Sequence, residues 1–241
     1  MIEKLAILFG IIHTDLSKFE RKIQSLFKEY EEKRDEKVFL EVEQLFEQYL
    51  SVHANDYDTW VKFSLFLLED IHDEVKALES LKYVAIHDSN NVYALLIMGY
   101  ISFMFLRMDE DFVLEKLLKF ESNDVQINAL VNYVLSIYFR GRNEELVKHY
   151  FEKSVYYCDS FVWNNYKLGE TYFEEGNIKK AKELTEKALR NIQYIYPYPS
   201  SKEYNITPVE EFINERLKGI YITQPNLEFM QEQLEEINQK L

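Results

Sequence analysis

The chain has 241 residues, of which 47% are hydrophobic and 15% aromatic, so it is long and apolar enough to fold around a core rather than remain disordered. It contains only 6 Gly and 4 Pro, and residues 1–196 contain no proline, which excludes an all-β protein with many tight turns. The formal net charge of −14 argues against nucleic acid or an anionic membrane as a direct partner.

Cysteine usage and apolar runs predict a cytoplasmic protein with no membrane segment. Cys158 is the single cysteine, so an intrachain disulfide framework is impossible and a reducing compartment is expected. The apolar run in residues 1–13 has no small-residue cleavage site and is interpreted as a structural segment. The uncharged stretch 89–106 has about 15 mostly apolar positions, which is short of a bilayer span and predicts a buried helix.

A repeat of about 34 residues runs through the middle of the chain. Within 161–194, small and apolar residues occupy the positions where two helices of a hairpin would touch. These positions are Leu168, Gly169, Tyr172, Gly176, Ala181, Ala188 and Leu189. One period upstream, Tyr138 aligns with Tyr172 and Val147 aligns with Ala181. Further upstream, the segments 55–60 and 90–95 match each other, and each is followed by an apolar run.

These residues resemble the tetratricopeptide repeat (TPR) family, and the resemblance covers roughly residues 35–194. The best unit departs from the family pattern at three places, with Asn165 for Trp, Thr185 for an aromatic residue and Gln193 for Pro. The weaker units keep a few of the family's residues, namely Trp60, Gly99, Tyr138 and Phe151. Another α-solenoid or an irregular helical bundle stays open as an alternative.

The predicted fold is an all-α solenoid of about five antiparallel helix pairs with a C-terminal helical cap. Each hairpin has more apolar surface than it can bury alone, so neighbouring pairs are expected to stack and share a core. The predicted pairs are 17–33 with 37–52, 57–70 with 74–87, 92–107 with 110–121, 125–139 with 143–157, and 161–174 with 178–194. The array is expected to occupy residues 1–194, with its best repeats in 57–194.

The C-terminal part of the sequence has a different character. Residues 195–206 are predicted to form a connector rich in Pro and Tyr, and residues 207–241 to form capping helices. Thr207, Pro208 and Glu210 predict a helix that starts at 208 and ends near Gly219. A last helix is expected after Pro225, with an apolar stripe made of Leu227, Met230, Leu234, Ile237 and Leu241. This helix would cap the array, or residues 226–241 would form a homodimer.

Few residues suggest catalysis. Arg142, Asn143 and His149 resemble the active-site motif of the helical HEPN ribonucleases, in which Arg would steady negative charge and His would transfer a proton. His72 and His87, each followed by Asp, would lie roughly 20 Å apart at the two ends of one helix, too far to share a metal ion. The sequence contains no glycine-rich phosphate loop. We therefore expect no enzyme activity, no metal and no cofactor.

The resemblance to TPR proteins implies that the first helix of each pair lines a concave groove. It places eight candidate partner-binding residues there: Tyr93, Tyr100, Phe103, Asn132, Ser136, Trp163, Tyr166 and Glu170. The set is rich in aromatic residues, which dominate binding energetics when they cluster.

The hypothesis that follows is a non-catalytic protein-protein interaction module that binds a protein or peptide, with a basic partner favoured by the negative charge. An adaptor, a chaperone and a toxin-neutralising immunity protein are all compatible with it. The alternatives are a ribonuclease that uses Arg142 and His149, and a structural oligomer assembled through the C-terminal helix.

Overall fold

The computed structural model describes residues 16–107, 111–196 and 207–241, and these residues are mainly α-helical. The helices are α1 (Leu16–Lys33), α2 (Lys37–Val52), α3 (Tyr57–Phe66), α4 (Glu74–His87), α5 (Val92–Tyr100), α6 (Asp111–Leu118), α7 (Val125–Phe139), α8 (Glu144–Tyr157), α9 (Val162–Glu174), α10 (Ile178–Arg190), α11 (Val209–Phe212) and α12 (Gln224–Gln239). The predicted apolar segment at residues 1–13 lies outside the described residues. Within the described ranges, no helix combines the length and the apolar character needed to cross a bilayer.

The chain divides into two compact units, and the boundary between Ser80 and Leu81 falls inside α4. Among the described residues, the first unit comprises 16–80. The second comprises 81–107, 111–196 and 207–241.

The first unit is built around aromatic side chains from α1, α2 and α3. Phe46 of α2 is fully buried and stacks on Phe63 and Phe66 of α3, with ring centroids 4.9 and 5.7 Å apart. Phe19 of α1 packs edge-on to Phe46 and stacks on Tyr49. Aromatic pairs in these geometries add about 0.5–1.5 kcal/mol each beyond the area they bury.

One aspartate links α2 to the start of α3. The Asp56 carboxylate accepts hydrogen bonds from the Thr59 amide at 3.2 Å, the Thr59 hydroxyl at 2.9 Å and the Tyr49 hydroxyl at 2.8 Å. It is therefore an N-cap and also a contact between two helices.

Replacing Asp56 by alanine is expected to lower the free energy of unfolding by about 1–2 kcal/mol, because it removes the cap and leaves the partly buried Tyr49 hydroxyl without its acceptor. Urea denaturation followed by circular dichroism measures the loss. Asp56→Asn keeps a capping oxygen and should recover most of the stability, so equal losses for the two variants would contradict this role.

The second unit contains three antiparallel helix pairs, α5 with α6, α7 with α8, and α9 with α10. Small residues stand where helices touch, as the repeat pattern predicts. A Cβ atom at Gly169 of α9 would lie 2.9 Å from the Thr185 hydroxyl oxygen of α10, and one at Gly99 would lie 2.8 Å from Val134. Side-chain caps start four helices of this unit, and the capping residues are Asn91, Asp124, Asn143 and Asn177.

Three helices change to a wider π-helical turn before they end. The π-helical segments are Leu67–Ile71 after α3, Ile101–Leu106 after α5, and Ile213–Lys218 after α11. Each segment ends at a residue with left-handed backbone, namely His72, Arg107 and Gly219 respectively. The predicted continuous helices 57–70 and 92–107 thus each combine an α-helix with a π-helical turn.

The structure contains two short strands, whereas the sequence predicts a helix up to residue 194 and no strand. Helix α10 ends at Arg190, and β1 (Tyr194–Tyr196) pairs in parallel with β2 (Tyr221–Thr223), with Tyr194 opposite Tyr221. The amides of Gln193 and Tyr194 donate to the Ile220 carbonyl, so the backbone hydrogen bonds after α10 are satisfied across the chain.

The C-terminal helices also differ in detail from the prediction. Pro208 is the N-cap of α11 rather than its first helical residue, since its ψ of 141° is extended, and α11 begins at Val209. The predicted end near Gly219 is confirmed, because the π-helical turn stops at Lys218. Helix α12 packs against α10 and buries Met230 and Ile237. A homodimer through 226–241 stays a prediction.

Candidate partner-binding site

The first helices of the three pairs in the second unit share one surface, and part of the same chain lies on it. We call this surface of α5, α7 and α9 the first-helix face, and we call residues 207–223 the C-terminal segment. The π-helical turn of this segment contacts α7 and α9. Phe212, just before that turn, contacts Tyr100 of α5. The segment therefore touches all three first helices.

Apolar side chains anchor the C-terminal segment. Phe212, Ile213 and Leu217 are all fully buried. The Phe212 ring packs edge-on to Tyr100, with ring centroids 5.9 Å apart and ring planes at 88°. Tyr100 also packs edge-on to Phe105, whose side chain is 50% exposed. The three rings form a row that runs from the buried segment to solvent.

Trp163 of α9 holds the end of the π-helical turn. Its indole Nε1 donates a hydrogen bond of 2.8 Å to the Glu215 carbonyl oxygen. Gly219 lies directly against the indole, since a Cβ atom there would be 2.6 Å from a ring carbon. Gly219 also has a φ of +69°, which non-glycine residues rarely adopt.

Tyr166 is the centre of a second buried cluster on the same face. It packs with Val162 and with Ile220, Ile222 and Met230, which belong to the C-terminal segment and α12. The side chain is almost completely buried. The predicted groove residue therefore contacts the chain's own C-terminal residues.

Buried tyrosine hydroxyls and one glutamate give the first-helix face its polar character. Burial raises the pKa of Tyr133 well above its ordinary value, with smaller contributions from the nearby Tyr100 and Glu170. Burial also raises the pKa of Tyr166, and the negative charge of Glu170 adds to this effect. Glu170 pairs with Lys167 at 2.7 Å. The face thus combines neutral phenols with the ion pair between Lys167 and Glu170.

The remaining predicted site residues lie in different surroundings. Tyr93 is 43% exposed at the start of α5. Phe103 is buried against the Tyr138 ring, with centroids 4.9 Å apart. The Asn132 amide donates to the Asn128 carbonyl at 2.7 Å, and the buried Ser136 hydroxyl donates to the Tyr133 carbonyl at 2.5 Å. Asn132 and Ser136 thus bond within α7.

The structure therefore brings Tyr100, Trp163, Tyr166 and Glu170 together on the first-helix face, while Phe103 and Ser136 serve the core. The role of all eight predicted residues in partner binding stays a prediction. Sequence reasoning missed Tyr133, which is adjacent to the predicted Asn132. It also missed that residues 212–217 pack on the first-helix face, because the apolar Phe212, Ile213 and Leu217 indicate an amphipathic segment but not the surface that it covers.

The residues considered for catalysis have structural contacts. The Arg142 guanidinium donates a hydrogen bond of 2.5 Å to the Tyr138 carbonyl and lies 4.6 Å from the centroid of the Tyr138 ring. It therefore caps the C-terminal end of α7. His149 packs edge-on to Tyr150. Across the described part of the chain, no group of three or more His, Cys, Asp or Glu side chains is placed to hold a metal ion.

No protein-family model and no curated protein sequence matches this chain. Several solved structures share its fold. A MamA crystal structure is 21% identical with a TM-score of 0.51, and the match covers 73% of this chain and 92% of that one. MamA 41-end from Desulfovibrio magneticus RS-1 is 15% identical with a TM-score of 0.52, covering 72% and 94%. The chain therefore has a TPR-like helical solenoid fold, as the sequence predicts.

Proposed function

We propose that this chain is a non-catalytic protein-binding module that holds a short amphipathic helix of a basic partner on the first-helix face. One observation carries the proposal: the face already accommodates a helical segment of this chain through Phe212, Ile213 and Leu217. A surface with the shape and the apolar pockets for one such helix is suited to another. An adaptor, a chaperone and an immunity protein would all use such a surface.

In this proposal the C-terminal segment is an internal ligand that the partner displaces. A covalently attached segment has an effective concentration in the millimolar range, so it competes with any external helix of modest affinity. The partner must therefore bind more tightly than the segment does. The basic preference follows from the net charge of −14, which favours encounter with cations.

A labelled peptide with the sequence of residues 207–223 tests this competition. We expect weak binding to the wild-type chain and at least tenfold tighter binding to full-length Phe212→Ala, because that substitution weakens the internal ligand and leaves the face intact. Fluorescence anisotropy measures both affinities. Combining Phe212→Ala with Trp163→Ala should abolish the gain, since Trp163 contacts the bound segment directly.

Two controls make the result interpretable. Tyr156→Ala alters a side chain that is 85% exposed on α8 and should leave peptide binding unchanged. A second peptide, with lysine in place of Glu210, Glu211 and Glu215, should bind the Phe212→Ala chain more tightly than the first if the face prefers a basic partner. Equal binding of the first peptide to wild type and Phe212→Ala, with both chains folded by circular dichroism, would rule out the displacement model.

A further inference from the structure

Three tyrosines are brought to one face of the two-stranded sheet by simple alternation. Side chains at alternate positions of a strand point to the same side, so Tyr194 and Tyr196 of β1 share a side with Tyr221 of β2, which is paired with Tyr194. Ile195 and Ile222 are paired on the opposite side, and Ile222 is fully buried in the core. The core contact of Ile222 thus turns the tyrosines outward.

The three rings pack at steep angles to one another. The ring centroids are 5.1 Å apart for Tyr194 and Tyr196, 5.8 Å for Tyr194 and Tyr221, and 6.5 Å for Tyr196 and Tyr221. The corresponding angles between ring planes are 85°, 67° and 84°. The three rings therefore meet edge to face, and all three line the same cavity.

The cavity has a volume of about 440 Å³ and is lined by the three tyrosines together with Gln193 and Glu211. Tyr194 is 49% exposed, so the cavity is open to solvent. The Tyr196 hydroxyl donates a hydrogen bond of 2.8 Å to the Glu211 carboxylate. Burial, and then this bond to Glu211, raise the pKa of Tyr196, so its hydroxyl stays protonated and remains the donor in this bond.

We propose that Tyr194, Tyr196, Tyr221 and Glu211 form a binding site for an organic cation, the ammonium or guanidinium group of a lysine or arginine side chain. Faces of aromatic rings attract such cations, and an adjacent carboxylate adds a direct charge interaction. We call these four residues the tyrosine cup.

Aromatic side chains elsewhere in the second unit already bind ammonium groups in this way. Lys148 and Lys180 lie 4.5 and 4.6 Å from the centroid of the Tyr172 ring. Lys240 lies 4.1 Å from the centroid of Phe173. Each of these cations lies over one ring, and Lys148 and Lys240 also pair with carboxylates, those of Glu175 and Glu236. The tyrosine cup offers three rings and a carboxylate, so it should hold a cation more strongly than these single-ring contacts do.

The cation has two possible sources. One is the chain itself, in which Lys202 is the only basic residue between Tyr196 and Glu210 in the sequence. A partner protein is the other source. The chemistry of the site is the same in both cases, and a substitution at Lys202 separates them.

Tetramethylammonium is the probe for the cup, and neopentyl alcohol is its neutral control of similar shape. We expect saturable shifts of the tyrosine ring signals in aromatic carbon-proton NMR spectra with tetramethylammonium, and none that saturate with the alcohol. Tyr194→Leu keeps apolar bulk at an exposed position but removes the π face, and it should weaken binding at least threefold. Glu211→Gln should weaken it several-fold, and Tyr221→Ala at least tenfold.

Tyr156→Ala serves as the matched control, because this tyrosine is 85% exposed on α8 and lies outside the cup. It should bind the probe like wild type. Tighter binding to Lys202→Ala would identify the chain's own lysine as the competing cation, and unchanged binding would assign the cup to a partner's cation. An equal response to the alcohol, or unweakened binding by folded Tyr194→Leu and Tyr221→Ala, would overturn the proposal. The titration uses no partner, so its failure would leave the proposed function of the first-helix face untouched.

Discussion

Gly219→Ala is expected to lower the free energy of unfolding by about 2–5 kcal/mol, because two costs coincide at this position. The residue has a φ of +69°, which a side chain disfavours. The added Cβ would also meet the Trp163 indole at 2.6 Å, which forces the ring and the backbone apart. The expected consequence is loosening of the C-terminal segment from α9, measured by urea denaturation and, in a Trp60→Phe background, by the fluorescence of Trp163.

Gly176→Ala is the matched control for this experiment. Gly176 has a φ of +80°, yet a Cβ there would meet no atom within 4 Å. Its substitution therefore carries the backbone cost alone, about 1–2 kcal/mol. The difference between the two variants isolates the contact with Trp163. Equal losses in the free energy of unfolding for the two variants would show that the close packing of Gly219 on the indole contributes nothing beyond the backbone cost.

Phe212→Ala is the second substitution with a large expected effect, a loss of about 3–5 kcal/mol from the docking of the C-terminal segment. The Phe212 ring is almost fully buried, and removing it leaves a cavity beside Tyr100. Hydrogen exchange should show faster exchange in residues 209–218, while amides in α8 and α10 keep their protection. This pattern would mark local release rather than global unfolding.

Phe105→Ala provides the comparison, since Phe105 contacts the same Tyr100 ring edge-on at 5.8 Å. Its side chain is half exposed, so its removal leaves no closed cavity and should cost less than about 1.5 kcal/mol. The two variants differ mainly in burial. An equal effect of both on exchange in residues 209–218 would contradict the anchoring role of Phe212.

The helix pairs could be predicted from the sequence because their signals are local. Gly169 stands where a larger residue would strike Thr185, and this spacing of small residues recurs with the repeat. Asparagine and aspartate at helix starts, such as Asn143 and Asn177, are caps with a known geometry. These features depend on neighbours within one hairpin, so a pattern of about 34 residues contains them.

The sheet and the occupied first-helix face could not be predicted in the same way. Strands of three residues are too short to show alternation, and the partner of β1 lies beyond α11 in the sequence. An amphipathic segment such as 212–217 has two apolar surfaces available to it, the end of the array and the first-helix face. Tertiary contacts decide which of the two it covers. Local patterns give the amphipathic character of this segment but not the surface that it covers.

The parallel pairing of β1 with β2 holds together the two ends of the segment that connects the strands. Tyr196 precedes this segment and Tyr221 follows it, and α12 contacts both strands. The location of α11 is therefore fixed by anchors at its own residues and by the strand pair.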